Sequence, residues 1–188
     1  MTQELIDLRT SILEERYADA LLIVDELEGM SKQAILRNIE SFLRRMMIHL
    51  IKNQVEQRLT NSWAASIEGS LLEIKKLNLK DNKKSHYIKP DEWEQMLSEE
   101  IEAAIRPASM EVMNGKLTRS QILERIDIEQ LISVANQLLA LTYNHSVKEL
   151  PYIIDEQLIQ LPGCEDWEFE KTCSGGDRTL ASLPDRTR

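Results

Sequence analysis

Between Ser31 and about Leu59 the apolar positions Ile35, Ile39, Phe42, Leu43, Met46, Met47, Leu50 and Ile51 recur at steps of three and four. At about 100° per residue this spacing gathers them into one stripe of a helix. No Gly or Pro interrupts the run, and its Leu, Met, Arg, Lys, Gln and Glu residues are good helix formers. Ser31, just after Gly29-Met30, is the expected N-cap. A stripe of this length needs neighbours along most of it. The pattern therefore predicts an all-α, antiparallel helical bundle around one long central helix at about 31–59.

The same periodicity supplies the neighbours. Leu5, Leu8 and Ile12, then Leu21, Leu22, Val24 and Leu27, predict one helix or two short ones over 2–28, with a polar break near Glu14-Glu15-Arg16. Thr60-Asn61-Ser62 reads as a turn that ends in a second N-cap, Ser62. It opens a helix carrying Trp63, Ile67, Leu71 and Ile74 to about Lys76. Gly69 inside it marks either a tolerated glycine or a close helix–helix approach. Residues 78–89 are polar and irregular and predict the longest internal loop. Pro90-Asp91 opens a helix that buries Trp93, Leu97, Ile101, Ala104 and Ile105, and Pro107 is expected to kink or end it. Thr118 and Gln121 form a capping-box pattern ahead of a short helix. Asp127 to Thr142 is the next helix, and 151–161 adds a last apolar segment. From Pro162 the composition turns to Gly, Ser, Pro and charge. The expected organisation is a single helical-bundle domain over 1–163 and an irregular or disordered tail over 164–188.

Composition narrows the class. Aromatics are only 5% of the 188 residues, so the core must be built from Leu, Ile, Met and Ala, which favours helices over sheets. The net charge of −9 is unevenly spread. Residues 1–30 hold eight Asp/Glu against Arg9 and Arg16, a net of −6, whereas 31–59 carry six Lys/Arg against Glu40 and Glu56, a net of +4. This contrast predicts that the acidic first helix pairs antiparallel with the basic long one through a turn at Gly29. The acidic balance argues against nonspecific binding to nucleic acid or anionic membranes. No secretory signal or apolar span is legible, and Cys164 and Cys173 read as reduced thiols, so a cytoplasmic protein is expected.

Chemistry-bearing patterns are sparse. The residues three before His49, His86 and His145 are Met46, Lys83 and Thr142, so the Glu-x-x-His of bundle metal sites is missing. No His-x-x-x-His, Cys-x-x-Cys, phosphate loop, nucleophile elbow or dinucleotide fingerprint occurs. No metal, cofactor or catalytic residue is therefore assigned. What remains is a cluster of Arg45, His49 and Lys52 along one flank of the long helix, with Trp63 nearby. Such groups can bind an anion if they converge on a pocket. Each also has a plain structural use, His49 as a partly buried packing residue and Trp63 as a plug at the bundle's end.

The segment Phe42–Lys52, FLRRMMIHLIK, followed by Ser62-Trp63-Ala64-Ala65-Ser66-Ile67, resembles the core signature of the bacterial family called domain of unknown function 29. That family typically shows a Leu-rich helix reading L-L-x-H-L-L-K and then a Ser-Trp-x-x-x-Ile element. The matching positions are Met46, Met47, His49, Leu50, Ile51 and Lys52, then Ser62, Trp63 and Ile67. Asp25-Glu26-Leu27-Glu28 is similar to its acidic preceding segment. The resemblance spans roughly residues 20–77. Two Met stand for Leu, Asn53 stands where an aromatic is common, and the chain after Lys80 departs from the compact family pattern. It implies an all-helical bundle in a bacterial, often cyanobacterial, cytoplasmic protein, and no activity. Arg45, His49, Lys52, Ser62 and Trp63 become the candidate binding residues.

The sequence thus points first to a non-enzymatic module acting through protein–protein contacts, with a homodimer as one option. An enzyme or small-ligand binder would use Arg45, His49, Lys52 and Trp63. Contact with nucleic acid would require Arg37, Arg44 and Arg58 together on one surface, and ranks last in a chain of net charge −9.

Overall fold

The computed structural model describes residues 2–80, 82 and 84–164. Its elements are α1 (Thr2–Leu13), α2 (Tyr17–Glu56), α3 (Asn61–Asn78), α4 (Trp93–Glu111), α5 (Arg119–Leu123), α6 (Ile128–Asn144) and α7 (Leu150–Leu158). The 3-10 turns Pro90–Glu92 and Val112–Gly115 flank α4. This is an all-α bundle around one long helix, as the periodicity predicts. Of the tail expected over 164–188, residues 165–188, Cys173 among them, lie outside the described residues.

The long helix starts earlier than the sequence indicates. α2 is unbroken for 40 residues, about 60 Å of helix. Gly29 and Ser31 are exposed positions within it, and no turn forms there. A Cβ built on Gly29 would meet nothing within 4 Å. One glycine costs a helix about 1 kcal/mol, and a break would also sacrifice the backbone hydrogen bonds on both sides and require new caps. The acidic segment 17–28 and the basic segment 31–56 therefore share one rod.

The chain turns instead at the predicted polar break. Glu15 adopts φ 60°, and the Arg16 N–H donates to the Ser11 carbonyl at 2.8 Å while the Glu15 N–H donates to Ile12 at 3.1 Å. These two bonds form a Schellman closure of α1. The Arg16 guanidinium then pairs with Glu14 at 2.8 Å and Asp19 at 2.6 Å. α1 folds back against the first half of α2.

The other half of α2 is the spine of the core. Ile39, Leu43, Met46, Met47, Leu50 and Ile51 are all buried, with Ile35 and Phe42 packed at the margin. α3 supplies Trp63, Ile67, Leu71 and Ile74, and α4 supplies Trp93, Leu97, Ile101 and Ile105. α6 and α7 close the bundle with Leu131, Leu139, Leu150 and Ile154. α4 continues past Pro107 to Glu111, so the proline does not end the helix. Buried Ala104, Ile105, Ala108 and Val112 on both sides of the proline hold the rod against the core, which outweighs the one missing backbone donor. Gly69 faces open space and is simply tolerated.

Polar groups fix the ends. The N-cap of α3 is Thr60, whose hydroxyl accepts the Trp63 N–H at 3.3 Å, and Ser62 sits exposed in the first turn instead of capping. The Thr118–Gln121 capping box forms as predicted. In the connection between α3 and α4, Asn78 is buried and donates to Ile88 O at 3.0 Å and to the Tyr143 hydroxyl at 2.9 Å. The Tyr143 hydroxyl donates to Ile88 O at 2.8 Å and accepts the Trp93 indole N–H at 2.7 Å. Burial raises the Tyr143 phenol above its ordinary pKa. This network pins the irregular 79–89 segment to three helices.

Beyond α7, the Asn53 amide donates to Pro162 O at 2.8 Å and Arg58 O at 2.9 Å, and the Leu59 N–H donates to Gly163 O at 3.1 Å. Gly163 has φ +67°, and a Cβ there would lie 2.1 Å from the Gln57 carbonyl oxygen. The polypeptide is thereby latched to the end of α2 up to Gly163.

Truncating the spine should be costly. We expect Leu43→Ala to lower unfolding stability by about 2–5 kcal/mol, through lost burial and the cavity left behind. Urea titration at constant m-value checks this, and a loss below about 1 kcal/mol would mean that Leu43 is not a core residue.

Candidate functional site

The residues singled out by sequence do not all converge. Arg45, His49 and Lys52 follow one flank of α2, and Trp63 faces that flank from the first turn of α3. Lys52 reaches the indole, with Nζ 4.6 Å from the ring centroid, and the His49 ring centroid lies 6.5 Å from that of Trp63. Arg45 turns away, its guanidinium carbon 5.3 Å from the ring of Phe42 and its side chain exposed. Ser62 also faces solvent.

Three residues join this cluster that the sequence reading did not single out for it. Glu111, at the end of α4, binds Lys52 Nζ at 2.6 Å. Arg58 lies over Trp63 at 5.1 Å and pairs with Glu56 at 2.6 Å. Glu56 also accepts the Met113 N–H at 2.8 Å. That amide is presented by a sharp turn in which Met113 and Asn114 have φ 47° and 59°, ahead of Gly115 at 72°. Two left-handed non-glycine residues in succession are strained, and the Glu56 bond helps to hold them. The spacing of Glu111 to Lys52 carries no local signal, because only the docking of α4 alongside α2, in the same direction (Arg44 on Glu100, Lys52 on Glu111), brings them together.

The result is an open cleft lined by Lys52, Glu56, Arg58, Trp63, Glu111, Met113, Asn114 and Lys116. Lys52 is the deeply placed charge, its side chain 8% exposed. Lys52 and Arg58 each have a carboxylate within 2.6 Å and lie over the same indole. The cleft is therefore a largely neutralised knot that ties the end of α2 to the end of α4. His49 is half-buried beside it, and its Nδ1 is enclosed without a hydrogen-bond partner among the described residues. Burial, reinforced by the Lys52 charge, pushes the His49 pKa down to about 4. Elsewhere Arg44 clamps Glu100 of α4 through two bonds of 2.8 and 3.1 Å, which removes it from any free basic surface. No group of three or more His, Cys, Asp or Glu placed to hold a metal ion occurs among the described residues. Among the same residues no helix is long and apolar enough to cross a membrane.

A second feature lies at the opposite end of α2. Among residues 3–38 only Ser11 and Ala20 are buried. Leu5, Ile6, Ile12 and Leu13 of α1 and Tyr17, Leu21, Leu22 and Met30 of α2 are all exposed, Leu13 the most at 72%. Leu21 stands 18 positions, five helical turns, before the buried Ile39, so the two lie on one line of the rod. The face of α2 that forms the core further along is bare here. We call this α1–α2 hairpin the arm.

The fold and these two features define an all-α bundle with a projecting, apolar-faced helical hairpin and a charge-neutralised aromatic cleft. The chain belongs to the family described as Domain of unknown function DUF29, whose model matches residues 8–114. That span begins within α1 and ends in the strained turn at Asn114. It therefore extends beyond the 20–77 of the sequence resemblance and takes in α4, which the resemblance left outside. No curated protein and no solved structure is similar to the chain at a significant level.

The depressed His49 pKa has a signed consequence. His49 stays neutral in the folded protein down to about pH 4, whereas an unfolded imidazole takes up its proton near pH 6.5. Its contribution to stability is complete above pH 6.5 and is lost as the pH falls from there through 4. Urea melts of wild type and His49→Gln over that window should diverge, the wild type losing more stability. Parallel profiles would show that the imidazole is not held neutral.

Proposed function

We propose that this protein is a protein–protein interaction module of the bacterial cytoplasm, acting through the arm. The number of large apolar side chains exposed on α1 and the first half of α2 carries the reading, because surface apolar residues gathered on one segment mark interaction sites more often than scattered ones do. We take residues 1–163 as one domain, a division supported by the latch at Pro162-Gly163. The bundle then serves as a rigid base from which α2 extends the arm.

The alternative, a small-ligand or catalytic site at Arg45, His49, Lys52 and Trp63, has less support. Arg45 is turned away, Lys52 is engaged by Glu111, and Ser62 lies outside the cleft. Nucleic-acid contact through the basic helix is likewise weakened, since Arg44 is held by Glu100, Arg58 by Glu56, and Arg37 donates to Gln33. Two of the three charges that phosphate neutralisation would use are already matched by carboxylates within the chain.

Site-specific photo-crosslinking in the native host tests the interaction reading. A photoreactive residue at Leu21 should trap a discrete protein adduct that mass spectrometry identifies, and the same residue at Tyr152, an exposed aromatic of α7, should not. No adduct at Leu21, or the same pattern at both positions, would remove the arm as an interaction surface.

A further inference from the structure

The arm has a recognisable chemistry as well as an exposed face. Residues 1–30 account for −6 of the chain's −9. Its acidic groups lie along both helices, at Glu4, Asp7, Asp19, Asp25, Glu26 and Glu28, and in the turn between them. Arg16 is engaged internally by Glu14 and Asp19. Leaving out Met30, which stands on the opposite side of α2 from Leu21, the exposed apolar residues of the arm leave on the order of 750 Å² of surface in water, similar in size to the ~800 Å² per partner of a standard protein interface.

We propose, resting on the interaction reading above, that the arm's partner is a basic amphipathic helix of another protein. Two adjacent helices with apolar side chains offer a groove into which a third helix lays its apolar stripe, as in helix-in-groove recognition. α1 is 12 residues, about 18 Å, so it can cover three to four turns of such a helix. Lys and Arg flanking the partner's stripe would meet the carboxylates on the arm. These charges fix orientation and accelerate encounter, and the apolar contact supplies the affinity. A second copy of this chain fits less well, because pairing arm to arm brings −6 against −6. Nucleic acids and anionic lipid surfaces carry the same sign as the arm and are disfavoured for that reason.

The experiment uses the full chain and a fluorescein-labelled, 18-residue amphipathic peptide of Leu and Lys as probe, with a Leu/Glu peptide of the same pattern as control, followed by fluorescence anisotropy. We expect saturable binding of the Lys peptide that weakens about fivefold or more between 50 and 300 mM NaCl. Leu21→Ser/Leu22→Ser should weaken it about tenfold or more, because two leucines no longer lose contact with water on binding. Leu5→Ser/Ile6→Ser, on the other helix of the arm, should act in the same direction. Circular dichroism should show both variants as helical as wild type, since all four side chains are exposed.

Equal binding of the Leu/Glu peptide, or binding indifferent to both variants, would overturn the proposal. Sedimentation equilibrium separates the two readings. A dimer that Leu21→Ser/Leu22→Ser converts to monomer would overturn the basic-helix partner while keeping the arm as an interaction surface. A monomer that binds neither peptide would overturn this proposal alone, and photo-crosslinking at Leu21 would still decide the broader reading.

Discussion

A mismatch of lengths governs this structure. α2 runs for about 60 Å, whereas α3 and α4, with 18 and 19 residues, extend for only about 27–29 Å each. Two helices of that length can bury the stripe from about Ile35 to Ile51, and the rod continues beyond them. α1 folds back along the remainder but packs through Ser11 and Ala20, away from the line on which Leu21 precedes Ile39. One helical face is therefore the interior of the bundle at one end and an uncovered surface at the other.

The far end of α2 is as firmly tied as the near end is bare. Lys52 and Arg58 share the Trp63 indole and hand their charges to Glu111 and Glu56, and Asn53 receives the chain as it returns at Pro162. Left unpaired, a cation as deep as Lys52 would be costly, so Glu111 and the strained turn beside it form part of one structural solution. The Asn78–Tyr143–Trp93 network does the equivalent work for the 79–89 segment. Both knots use polar side chains to hold irregular backbone against a core made almost wholly of aliphatic residues.

Much of this architecture could be read from residue spacing. The apolar stripe from Ile35 to Ile51 is the buried face, the Glu14–Arg16 break is the turn, and Thr118 with Gln121 forms the cap they spell out. Local punctuation misleads where packing and neighbouring propensity oppose it. Gly29-Met30-Ser31 resembles a helix boundary, yet helix formers on both sides outweigh a penalty of about 1 kcal/mol. Pro107 resembles a terminator, yet buried alanines and isoleucine on either side carry α4 past it. The candidate cluster was half legible. Lys52, His49 and Trp63 meet because they lie on facing turns of consecutive helices, but Glu111 joins them through a long-range docking that no local pattern encodes. The bare arm was legible as an amphipathic sequence, and only the lengths of the neighbouring helices reveal that its apolar side goes uncovered.

Amide hydrogen exchange along α2 tests the central claim most directly, since it reports on both the continuity of the rod and the extent of its cover. The account predicts that amides from Ile39 to Ile51 exchange only with global unfolding. Protection should then fall progressively toward Tyr17 without a gap, reflecting an intact but poorly covered helix. Unprotected amides around Gly29 would break the rod in two, and uniform protection from Tyr17 to Glu56 would mean that the arm is already covered. Either result would contradict the structure's reading as one helix with two fates.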